Sequence, residues 1–122
     1  MKGNPMNIVI LHGVLSREPE VRELPSGDHV ATFDVTVRDD GLGTDVVPVS
    51  WLGASATALD KLAAGADVVV TGRVRRRWFR AGGATQSRTE VQATVVVPAP
   101  QARKAQQAVD GALEAAVEWL AE

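Results

Sequence analysis

A mainly β domain, rolled into a barrel and followed by one C-terminal helix, is the fold class this chain predicts. Three observations carry that reading. Alternating or densely β-branched runs recur through residues 7–97, one short segment of helical period interrupts them, and an alanine-rich helical stripe follows. The 122 residues make about one ordinary domain with a core of its own. At 45% hydrophobic and 23% charged, the composition is that of a globular chain rather than a disordered one. The expected organisation is a barrel over 1–97, a stiff linker over 98–104 and a helix over 105–122.

Taken in order, "NIVILHGVL" (Asn7–Leu15) is a β-branched run without helical caps and reads as a strand crossing the core. Glu20–Leu24 forms a short strand ahead of the turn Pro25-Ser26-Gly27-Asp28. In "HVATFDVTVRDD", Val30, Thr32, Asp34 and Thr36 fall on one face, while Ala31, Phe33, Val35 and Val37 fall on the other. Phe33 is thereby assigned to the core. "TDVVPVSWLG" is the next strand, and its Pro48, which has no N–H, belongs at an edge or a bulge.

The period then changes. Ala56, Leu59, Leu62 and Ala63 recur at helical spacing, with Ser55 as N-cap and Gly65 as the stop, so a helix is expected within 54–65. Strands resume with Ala66–Phe79, a Gly-rich tip at Arg80–Thr85 and Gln86–Val97. In the tail, Ala105, Val109, Ala112, Leu113, Ala116, Val117 and Leu120 form one apolar stripe, with Trp119 off its centre. This element order is that of the OB fold, a five-stranded Greek-key barrel with a helix between strands three and four, whose surface binds oligonucleotides.

Several function classes are set aside. The absence of cysteine removes disulfides and thiol chemistry. His12 and His29 have no carboxylate cluster around them, no phosphate-cradling loop occurs, and Ser16 and Ser50 lack a base partner. No enzyme, cofactor, metal or small-molecule substrate is therefore expected. No apolar run approaches bilayer length, "MKGNPMNIVI" lacks a signal-cleavage pattern, and Met1–Pro5 reads as a leader ahead of Met6. No membrane association is expected, and the cytoplasm is the expected location.

The charge is placed unevenly. Residues 1–69 hold five Lys/Arg against ten Asp/Glu, and residues 101–122 hold two against four. Residues 70–90 hold six arginines against Glu90 alone. Within "GRVRRRWFRAGG", Arg73, Arg75, Arg77 and Phe79 share one strand face, and Val74, Arg76, Trp78 and Arg80 share the other. Such a strand either guards an edge against aggregation or grips a polyanion, with guanidiniums on phosphates and a ring on a base. The second reading is favoured.

The opening residues through Val37, with Gly-x-Leu, Pro-Glu-Val-Arg and a Gly-tipped hairpin, resemble the bacterial single-stranded DNA-binding proteins. So do "VSWLGASATALDKLAAGADVVVTGRVRRRWF" and "RTEVQATVV"; the resemblance spans about residues 7 to 97. It implies an OB fold, sequence-tolerant binding of single-stranded DNA, no catalysis, and a homo-oligomer, with a tetramer favoured. Trp78 or Phe79 matches the family's stacking aromatic on this hairpin. Trp51, beside the family's aromatic position at Leu52, is open between stacking and core. Arg38 and Arg88 are candidates to extend the phosphate track, giving Arg73, Arg75, Arg77, Arg80, Trp78, Phe79, Trp51, Arg88 and Arg38 as the DNA-binding set.

The chain departs from the family pattern at Val46 and Val47, which replace a Trp-His pair, and in its short "DDGLGTD" loop. A helix ending "VEWLAE" stands where the family has a disordered acidic tail. These departures suggest a divergent paralog. They also support a rival reading, an assembly or protein-interaction subunit with weakened DNA binding. The residues leave DNA against RNA open.

Overall fold

The computed structural model describes residues 5–121, so the expected leader lies outside the described residues except for Pro5. The elements are β1 (Val9–Leu15), β2 (Glu20–Glu23), β3 (His29–Asp39), β4 (Gly43–Leu52), α1 (Ala56–Leu59), β5 (Asp67–Ala81), β6 (Ala84–Pro98) and α2 (Ala102–Ala121). Strand β1 pairs antiparallel with β5 along Val9–Val14 and with β3 at Val14 and Leu15. Strand β3 pairs with β4, β4 runs parallel to β6 at Val49 and Ser50, and β6 pairs back to β5. That circuit closes a five-stranded barrel of the OB type, with β2 added to the rim of β3 as a four-residue flap.

The period-2 pattern explains the core. Ala31, Phe33 and Val35 of β3, Val49 of β4, Val68 and Val70 of β5, and Val91, Ala93 and Val96 of β6 meet Leu15 and Leu62 inside the barrel. Full burial of the valine, leucine and phenylalanine side chains stabilises the fold by roughly 1.5–3 kcal/mol each. A register jump at Thr71/Gly72 leaves Thr94 unpaired opposite β5, so the inward set on β6 switches from Val96 to Ala93 and Val91. Gly72 is required there, because a Cβ would collide with the Gln92 carbonyl. Pro48 faces Asp34 in the β3–β4 ladder, and the β4–β6 pairing starts only at Val49, so its missing N–H leaves no gap between those strands.

Two expectations need correction. The helix expected within 54–65 is a single turn. Ser55 caps it, accepting from the Ala58 N–H at 3.1 Å, but beyond Asp60 the bonds Lys61 to Ala58 and Leu62 to Leu59 are of the tighter three-residue kind. The tightening carries Leu62 into the barrel, and Gly65, at φ +86, serves a later turn rather than the helix stop.

The C-terminal helix opens at Ala102, ahead of the boundary expected at 105, after a turn over 99–101. Its apolar stripe does not dock as one unit. Ala105, Ala108 and Val109 pack on Val69, Val95 and Val97, outside the barrel, while Leu113, Val117 and Leu120 stay exposed. Small side chains let the helix axis come close to the sheet, so the alanine row is the one that docks.

Candidate nucleic-acid interface

The interface grows from the point where β5 and β6 outrun their neighbours. The Asn7 side chain bonds the Val74 N–H and C=O at 2.9 and 2.7 Å, ending the cover that β1 provides along β5. Strand β4 pairs with β6 only at Val91 and Gln92, so it too stops short of Glu90. From Arg75–Glu90 to Ala81–Ala84, the two strands pair only with each other among the described residues. Gly82 and Gly83, at φ +59 and +79, make the tip in a region that suits glycine. The result is a two-stranded arm with charge on both faces.

On one face lie Arg73, Arg75, Arg77 and Phe79, in register with Gln92, Glu90, Arg88 and Gln86. Arg73 Nε donates to Gln92 Oε1 at 3.1 Å, which fixes the base of the row. Arg77 Nε stands 3.5 Å from Glu90 Oε1, a long ion pair without hydrogen-bond geometry, on a carboxylate only 6% exposed. Phe79 is 38% exposed at the far end of the row.

This face looks onto β2 and β3. Arg77 and Arg88 line a groove of about 240 Å³ with Glu20, Arg22, Val30 and Thr32. An adjoining hollow shares Glu20, Thr32 and Arg88 and adds Arg17 and Asp34. There Asp34 bridges two cations, Arg17 at 3.5 Å and Arg88 at 3.9 Å. Arginines thus line both walls, and acidic side chains partly neutralise them.

The opposite face carries Arg76, Trp78 and Arg80 against Thr89, Ser87 and Thr85. Trp78 is 64% exposed, the Arg76 guanidinium sits over its ring at 5.1 Å from the centroid, and Arg76 Nε donates to Ser87 Oγ at 3.0 Å. Arg80 Nη2 donates to the Gly83 carbonyl at 3.0 Å and holds the tip.

The other candidates are scattered. Trp51 pairs with Ala31 and packs half-buried against the core, so the ring belongs to the barrel wall. Leu52, on the outward face and 53% exposed, pairs with Val30 of the groove wall. Arg38 is exposed on the face of β3 that carries Asp34, about 13 Å further along the strand at the usual rise. Val46 is exposed, whereas Val47 packs on the core.

Arg17, Arg22 and Arg76 were missing from the sequence-derived set. The first two are hidden among Glu18, Glu20 and Glu23, which make that segment net acidic. Arg76 was legible only as a member of the Trp78 face. Among the described residues, no group of three or more His, Asp or Glu could hold a metal, and no helix is long and apolar enough to cross a membrane.

A closed OB-type barrel with an arginine-rich, aromatic-bearing arm beside an open groove defines a nucleic-acid-binding class of architecture. Residues 6–98 match the single-strand binding protein family, and the chain belongs to that family. Helix α2 lies beyond the matched residues.

Proposed function

We propose that the protein binds single-stranded DNA without sequence preference, in the service of replication, repair or recombination in the cytoplasm. The observation that carries this reading is the arm. Six arginines and two exposed rings stand on a ribbon with one acidic side chain, at the edge of a barrel whose family binds single strands. Arg73, Arg75, Arg77 and Arg88 are assigned to phosphates, with Arg38 extending the track, and Phe79 and Trp78 to bases. Stacking tolerates any sequence because every base has a π-face. Trp51 is left to the barrel wall.

A homo-oligomer, with a tetramer favoured, is part of this proposal. It is supported by exposed Ile8, Ile10 and Val14 at β1 and by Leu113, Val117 and Leu120 on α2. Light scattering tests it, and a monomeric mass would remove it.

The DNA-binding test is a titration with oligo-dT at rising NaCl, read by tryptophan emission. Each phosphate contact contributes about 0.7 to the slope of log K against log salt, so these five contacts give a slope of about −3.5. A salt-independent affinity would remove the phosphate assignment. The rival reading, an assembly subunit with weakened DNA binding, is favoured by Val46 and Leu52, aliphatic and exposed where the family pattern has aromatics. Absence of any binding in the titration would establish it over the first.

A further inference from the structure

The Arg76–Trp78–Arg80 face has a property that edge protection does not explain. Inside the barrel, the same face of β5 carries Val68 and Val70 into the core. Past Val74 the core has ended, and a simple solvated ribbon carries polar or charged side chains on such a face. Strand β6 does so, with Thr85, Ser87 and Thr89. Strand β5 instead presents an indole, largely exposed, between two arginines.

The indole is also held ready. Ser87 fixes Arg76, and Arg76 covers one side of the Trp78 ring, an arrangement that cation–π attraction stabilises. Among the residues paired on this part of the face there is no carboxylate, whereas the other face has Glu90 at its base and Asp34 across the groove. Its positive charge is therefore the less compensated of the two.

We infer that this face is a second nucleotide-binding surface, on which a base stacks against the uncovered side of Trp78 and phosphates meet Arg76 and Arg80. Side chains on opposite faces of a strand point about 180° apart, so one nucleotide cannot touch both. A single strand engaging Phe79 and Trp78 together must pass around the arm. Arg76 is then a positioning residue, which holds the ring in place and contributes charge. This inference rests on the proposed binding of single-stranded nucleic acid and says which surfaces it uses.

The test is anisotropy with labelled oligo-dT from about 4 to about 30 nucleotides, spanning the site sizes of such barrels. Wild type, Trp78→Ala, Arg76→Gln and the first-face variant Phe79→Ala are compared, with thermal melts to confirm folding. For Trp78→Ala, affinity for the shortest oligomers falls by less than about threefold and affinity for the longest by tenfold or more. Arg76→Gln gives a smaller loss of the same pattern and changes the emission of the DNA-free protein, because Trp78 loses its cation. The inference is overturned if Trp78→Ala weakens short and long oligomers equally, which means one shared surface. It is also overturned if Trp78→Ala weakens neither, or if the part of the emission that Trp78→Ala removes responds to protein dilution but not to DNA, which means the face is covered by another copy. Failure of the wild type to bind any length would instead overturn the proposed function itself.

Discussion

The carboxylate of Asp34 lies 3.9 Å from the guanidinium of Arg88, across the space between β3 and β6, and shares itself with Arg17 at 3.5 Å. An acid therefore sits inside the groove proposed for a polyanion and competes with phosphate for two cations. Asp34→Asn should raise affinity for oligo-dT by about three- to tenfold at low salt and by less at high salt, since exposed charges are screened. Anisotropy at two NaCl concentrations checks this. Unchanged or weaker binding would mean that Arg17 and Arg88 do not face the DNA.

Arg75 and Arg77 stand on one face of the arm but differ in what they hold. Arg77 is the ion-pair partner of the buried Glu90, while Arg75, opposite Glu90 in the ladder, makes no ion pair among the described residues. Arg75→Gln should weaken binding, reduce the salt slope by about 0.7 and leave the melting temperature unchanged. Arg77→Gln should do the same and also cost about 1–2 kcal/mol of stability, because the Glu90 carboxylate loses its cation; half-exposure of Arg77 keeps the cost below that of a fully buried pair. Equal stability of the two variants in urea would contradict this difference.

Trp51 and Leu52 are neighbours in sequence and opposites in the barrel wall. Trp51→Ala should cost about 2–3 kcal/mol by chemical denaturation, somewhat under the value for a fully buried ring. Leu52→Trp should bring a ring to an exposed position beside the groove and tighten oligo-dT binding by about 1 kcal/mol or more. No gain from Leu52→Trp would place the DNA away from the β3–β4 side of the groove.

Gly72 marks the register jump from which the arm's geometry follows. Gly72→Ala should destabilise the barrel by about 3 kcal/mol, since the new methyl meets a backbone carbonyl that cannot rotate away. Gly82→Ala at the tip meets nothing within 4 Å and should cost only about 1 kcal/mol, from its positive φ. A urea series on both variants separates collision from backbone strain.

Much of the fold was legible because its determinants are local. Alternation in "HVATFDVTV" depends on one residue per pleat, and the structure buries Ala31, Phe33 and Val35 as that pattern requires. Ser55 capped the helix as read, because capping involves one side chain and an N–H three residues away. The helix length was not legible. Its periodic residues continue to Ala63, yet the pull of Leu62 into the core ends the helix after one turn. In α2, spacing alone could not separate the alanine row that docks from the Leu113–Val117–Leu120 row that does not.

The sequence by itself determined that this is a β-barrel with an arginine-rich hairpin carrying two rings, and that those rings lie on opposite faces. Only the tertiary structure decided that the hairpin outruns the barrel at Asn7 and Val74, that Trp51 joins the wall, and that Asp34 meets Arg17 and Arg88. The reason is range. Pleat and charge run are set by neighbours along the chain, whereas the end of a sheet and the partner of a charge are set by strands that meet across dozens of residues.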